Sequence, residues 1–249
     1  MTAPGQKNIL EKLQSEILSL QGFRLPTSQQ RIDFGLGPIE AAFAGRSFPT
    51  GLHEFISASR QDAAATTGFM AGLLSSLMQS GTSICLWIST KRNIFPPALA
   101  VFGIAPHRVI FIDLACEKDV LWAVEEALKC EALACVVAEI NEISFTASRR
   151  LQLVIEKSRV PGFVHRHNLR SVNTLACVCR WEIKPVSSEL EQGMPGVGHA
   201  RWQVALEKVR NGEPGSWQVG WAAGRFEHAA DPARQARFGT DHINTGTYG

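Results

Sequence analysis

Residues 51–77 read GLHEFISASRQDAAATTGFMAGLLSSL, and this stretch decides how the rest of the chain is parsed. A short apolar run, HEFIS, passes through a polar segment into a helical pattern expected over about 62–79, the entry to an α/β unit. A loop that wraps nucleotide phosphates at this place reads GxxxxGK followed by Ser or Thr. Its glycines let backbone N–H groups approach the phosphates, and its lysine supplies charge. Here the equivalent is SASRQDAAATT, residues 57–67, a loop some two residues longer than the motif, in which Ser57 ends the strand and no glycine or lysine occurs. Alanine (Ala64, Ala65) replaces the lysine, and Thr66 or Thr67 stands where a Mg²⁺-binding hydroxyl would be. The frame is kept and the phosphate site is lost.

The same frame repeats downstream. TSICLWIS precedes a short helix starting near Phe95, where Pro96 and Pro97 suit a first turn. RVIFIDLA precedes EKDVLWAVEEALKC, ALACVVAEI precedes SFTASRRLQLVIEKSRV, and GFVHRH follows. Alternation with near-continuous apolar strands predicts a mainly parallel sheet flanked by helices, with ligands at the carboxyl ends of the strands. After Asn173 the rhythm becomes strand upon strand: TLACVCRWEIKPV, ARWQVALEKVR and GSWQVGWAAGRFE, with VRNGEPGSW turning a hairpin. The expected fold is α/β with a C-terminal antiparallel hairpin extension.

Three segments divide the chain. Residues 1–22 hold an amphipathic helix whose Leu10, Leu13, Ile17 and Leu20 lie along one side. Residues 23–228 form the domain, led in by a Gly- and Pro-rich segment expected to cross the surface as a loop with one short helix. Residues 229–249 have little apolar content and read as a mobile tail in which Arg234, Arg237 and Phe238 would order on contact with a partner.

With 249 residues, 45% hydrophobic and 19% charged, the chain reads as globular rather than disordered. A net charge of +2 does not imply a strong overall hold on a polyanion, so any DNA contact must be local. No apolar run is long enough to span a bilayer and the start lacks the order of a secretory signal, which places the protein in the cytoplasm without membrane contact.

Several side chains carry two readings. The six cysteines suit buried reduced thiols, while His165 with His167 and Cys177 with Cys179 share strand faces by period two and would make a zinc site if brought together. Glu139, ending an apolar run, is a metal ligand or a structural carboxylate. Between residues 141 and 184 basic residues exceed acidic ones, and Arg166 and Arg170 can face a phosphate backbone or solvent. Lys208 and Arg210 flank the hairpin turn, as pairing groups for a partner or as plain hairpin charges. Trp202, Trp217 and Trp221 serve the core or a protein-binding surface.

The order of these parts resembles the RecA-like core, and within it the ImuA family of damage-inducible mutagenesis proteins. The markers are FPTGLHEF, LWIS followed by FPPAL, LWAVEEALKC before ALACVVAEI, RRLQL, and RWQVALEKVRNGEPGSWQV. The resemblance implies a non-catalytic accessory factor of error-prone translesion DNA synthesis, acting with an ImuB-like polymerase-related protein and a specialised C-family DNA polymerase, and touching RecA itself. It also implies that the position of the water-activating glutamate is held by Lys91, which cannot act as a carboxylate base. The hairpin resembles one that carries basic residues into a neighbour's nucleotide site in ring-forming relatives. No cofactor and no catalytic residue is expected. The rival readings are an ATPase with an atypical loop using Arg60, Lys91 and Glu139, and a SulA-like inhibitor of cell division.

Overall fold

The computed structural model describes residues 32–79, 83–167, 169, 172–189 and 198–228. They build a nine-stranded sheet in the order β3-β2-β4-β5-β1-β6-β7-β8-β9. Strands β1 (Leu52–Ser57), β2 (Ile84–Ser89), β3 (Val109–Asp113), β4 (Leu133–Glu139), β5 (Gly162–His167) and β6 (Cys179–Glu189) run parallel. Strands β7 (His199–Val209), β8 (Gly215–Ala222) and β9 (Arg225–His228) extend the sheet beyond β6, each antiparallel to the strand before it. This is the α/β architecture expected from the alternation of apolar runs, including its antiparallel extension.

Helix α1 (Arg60–Met78) covers one face of the sheet, and α2 (Glu117–Ala127) and α3 (Phe145–Ser158) cover the other. Alternation along the strands sorts side chains between two cores. Phe55, Trp87, Val137, Phe163 and Trp181 pack beneath α1, whereas Leu52, Ile88, Val136 and Val164 pack beneath α2 and α3. The local signals are conventional. Ser144 caps α3 by accepting from the amide of Ala147, and Glu117 and Asp119 set negative charge in the first turn of α2.

Four local expectations are corrected. The lead-in is core rather than surface, because Phe34, Leu36, Ile39 and Phe43 are buried and the Phe48 ring stacks on His53 at 4.3 Å. The first strand after Asn173 begins at Cys179, not near Thr174. The run GSWQVGWAAGRFE is two strands, since Ala223 and Gly224 take positive φ and turn the chain between β8 and β9. Finally, α1 begins at Arg60, so most of the segment read as a loop is helix. The N-terminal stripe of Leu10, Leu13, Ile17 and Leu20 and the tail residues Arg234, Arg237 and Phe238 lie outside the described residues, as does Arg170.

Small residues let the extension close over α1. A Cβ on Gly72 would stand 2.5 Å from Cζ of Phe226, and one on Gly68 would stand 3.1 Å from the Trp202 ring. Trp202 and Trp221 are buried here and Trp217 is partly buried against the same core, which is the packing use of these aromatics.

Candidate functional site at the carboxyl end of the sheet

Only Ala58 and Ser59 separate β1 from α1. Ser59 accepts from the amide of Asp62 at 3.1 Å, and the Asp62 carboxylate accepts from the amide of Ser59 at 3.1 Å. This reciprocal capping box satisfies two backbone donors that a phosphate would otherwise approach, and Asp62 adds negative charge at the helix start. Ala64, Ala65, Thr66 and Thr67 are therefore helical residues. The Thr67 hydroxyl donates to the carbonyl of Ala63, and Thr66 is buried with its hydroxyl 3.0 Å from that of Ser57.

Behind the helix start the strand ends bring together a polar chain that the sequence does not announce. The Ser57 hydroxyl shares a 2.8 Å hydrogen bond with Nε2 of His165, and the His165 and His167 ring centroids are 3.9 Å apart. Nε2 of His167 lies 3.6 Å from Glu139. The Glu139 carboxylate accepts from the Trp87 indole at 2.8 Å and from the Asn93 amide at 2.9 Å. Burial, then the neighbouring His167, pushes the pKa of His165 well below its ordinary value, so its imidazole is neutral. Glu139 is thus occupied as a hydrogen-bond acceptor.

The histidine and cysteine pairs do not converge. His165 and His167 lie on the α1 side, whereas the Cys177 thiol faces the Glu54 carboxylate at 3.6 Å in the opposite core, and Cys179 returns to the α1 side beside His53 in β1. The irregular backbone before β6 breaks the period-two rule on which the zinc reading rested. Among the described residues no group of three or more His, Cys, Asp or Glu is placed to hold a metal ion.

Arg166 is corrected as a DNA contact. It is 2% exposed and donates to Glu54 at 2.6 Å and to the carbonyl of Asn141 at 3.1 Å. Arg180 donates to the other Glu54 oxygen at 2.8 Å, giving an Arg-Glu-Arg triad in which Glu54 and Arg166 are buried and Arg180 is partly buried. The local basic excess is largely spent on such pairs: Arg149 faces Glu156, Arg150 pairs with Glu125, and Lys184 with Glu182. At the hairpin, the Lys208 ammonium donates to the carbonyl of Leu175 at 2.9 Å, and Arg210 lies 3.9 Å from Glu156. Both side chains engage their own domain.

In front of the capped helix, a cavity of about 900 Å³ opens between α1, the 3₁₀ segment Pro96–Phe102 and β7. Arg60, Lys91, Glu139 and His167 border it. The sequence points to Arg60, Lys91 and Glu139 as groups of an atypical nucleotide site, and to His167 only as a zinc ligand. The signal for the chain through Ser57 was its place at a strand end, but its histidine partner sits 108 positions away.

Over 233 aligned residues the chain is 32% identical to Protein ImuA of Caulobacter vibrioides strain NA1000 / CB15N, an alignment covering 89% of this chain and 94% of that protein. The chain belongs to the ImuA family. Protein ImuA of a second Caulobacter vibrioides strain, ATCC 19089 / CIP 103742 / CB 15, matches to the same extent. No family model matches the sequence. Among the described residues no helix is long and apolar enough to cross a membrane.

Proposed function

We propose that this ImuA-family chain is a non-catalytic, RecA-like accessory protein of bacterial error-prone translesion DNA synthesis in the SOS mutagenesis response. It works by binding an ImuB-like polymerase-related partner, which acts with a specialised C-family DNA polymerase. The observation that carries the non-catalytic part is the capping box at the start of α1: the Ser59 and Asp62 amides, which a phosphate would approach, already have partners. Phosphoryl transfer depends on placed charge and geometry, and here Lys91 occupies the base position while Glu139 is held by Trp87 and Asn93. The ATPase alternative needs those same groups free.

Partner binding is assigned first to the two ends of the chain, the stripe of Leu10, Leu13, Ile17 and Leu20 and the segment with Arg234, Arg237 and Phe238. The work is cytoplasmic, and a contact with RecA or weak DNA binding belongs to the same reading. Two measurements test it. Thermal melting with ATP and Mg²⁺ should give no saturable upward shift, since a ligand that binds the folded state must stabilise it. Co-purification with the ImuB-like protein should succeed with the whole chain and weaken when residues 1–22 or 229–249 are removed. A sub-millimolar ATP-dependent shift overturns the non-catalytic reading, and absence of the complex overturns the accessory role.

A further inference from the structure

We propose that the cavity in front of α1 is a docking groove for an acidic peptide segment with an apolar anchor, supplied by a protein partner. The inference rests on the reading of the chain as a binding protein and names a surface on its globular part. The floor is the small-residue side of α1, where Ala63 and Ala64 leave room and Gly68 lies against the Trp202 ring. One wall is apolar, formed by Leu99, Phe102 and Trp202. The volume, about 900 Å³, accommodates one or two large side chains.

Charge selects the ligand. Arg60 and Lys91 stand at the border of the groove, and among the described residues neither makes an ion pair. The bordering carboxylate, Glu139, is turned to Trp87 and Asn93. Cations without an ion pair among the described residues attract anions. The floor nevertheless gives a small polar ligand little to orient it, because the Ser59 and Asp62 amides are capped and the Thr67 hydroxyl is spent on the Ala63 carbonyl. Recognition then comes from shape, apolar contact and two long flexible cations. The apolar character extends to the rim, where Phe95 borders the cavity and Val101 follows on the same 3₁₀ segment, each 70% exposed. An extended peptide covers that rim; a small anion does not.

Fluorescence anisotropy of a labelled synthetic peptide with a Leu-Trp-Leu centre flanked by paired aspartates tests the groove on the full chain. Saturable micromolar binding is expected. Ala64→Trp, which fills the floor from an exposed helical position, should weaken it by about tenfold or more, as should Arg60→Glu with Lys91→Glu. The doubly reversed protein should instead bind the lysine-for-aspartate peptide. Circular dichroism checks that each variant keeps its fold. Absence of saturable binding, indifference to both variants, or displacement by pyrophosphate or ATP overturns the proposal, the last in favour of a small-anion site. Concentration-dependent dimerisation abolished by Ala64→Trp also overturns it, assigning the groove to a second copy. If wild type and both variants retain the ImuB-like partner equally, the groove is not the site of that complex and the accessory reading stands. If wild type fails to form the complex, that reading falls and the peptide titration still decides the groove.

Discussion

The Ser57 hydroxyl lies 2.8 Å from Nε2 of His165, and both side chains are excluded from solvent. A serine beside a neutral histidine has the components of a nucleophile and its base, yet its other contact is the Thr66 hydroxyl of α1 rather than a site open to substrate. Together with Thr66, the pair ties the end of β1 to β5 and to α1. Its chemistry is positional.

Acid should destabilise the fold through two imidazoles. His53 is held to a pKa of about 3 by burial, against an ordinary 6.5, and donates to the Pro49 carbonyl at 2.8 Å; His165 is lowered for the same first reason. Both stay neutral in the fold while the unfolded chain protonates below about pH 6.5, so unfolding takes up protons. Stability is therefore complete above that pH and falls as pH drops, by ~1.4 kcal/mol per unit for each group. For His53 the loss continues to about pH 3. Urea unfolding measured through this window should show the slope, and His165→Gln should reduce it by about one proton.

The triad gives a stability prediction. Glu54→Gln leaves Arg166, 2% exposed, without its counter-charge, and should cost ~3–5 kcal/mol in chemical denaturation, because an unpaired buried charge cannot be solvated. Arg166→Ala should likewise act on stability; a loss of DNA affinity in a variant with unchanged stability would contradict the assignment of this arginine to the core.

Removal of the capping box should weaken the fold without creating a nucleotide site. Ser59→Ala is expected to cost ~1 kcal/mol. Neither it nor Asp62→Ala should produce an ATP-dependent melting shift, because alanines at 64 and 65 still lack the charge a phosphate needs.

Gly72→Ala tests the close approach of the β extension to α1. The added Cβ meets the Phe226 ring at 2.5 Å, so the ring must shift and the variant should lose ~1–3 kcal/mol. In an isolated helix the same change would favour folding. A gain in stability would mean that β9 can yield at no cost.

The α/β frame was legible because its signals are local. Runs such as LACVVAE and VIFID are apolar on both faces, α1 and α3 carry N-terminal caps, and α2 carries a 3.6-residue apolar period, so element type and order follow from short-range physics. The same locality misled at Ser57. Absence of glycine and lysine spoke against a phosphate cradle, but whether residues 60–67 form a loop or two further turns of helix depended on Ser59 and Asp62 capping each other and on Thr66 finding a buried partner.

The sequence by itself determined the strand-helix order, the antiparallel turn after Val209 and the lack of the residues that bind phosphate, since each depends on neighbours within a few positions. The tertiary structure alone decided which face each polar side chain occupies. Period two put Cys177 with Cys179, but the irregular backbone before β6 sent Cys177 to Glu54 and Cys179 beside His53. Charge counting left Arg166 open to DNA, whereas the pairing of β5 with β1 set it against a carboxylate 112 residues away. Contacts at such separations are fixed by register and by the cost of leaving a buried charge unpaired, and no local pattern records them.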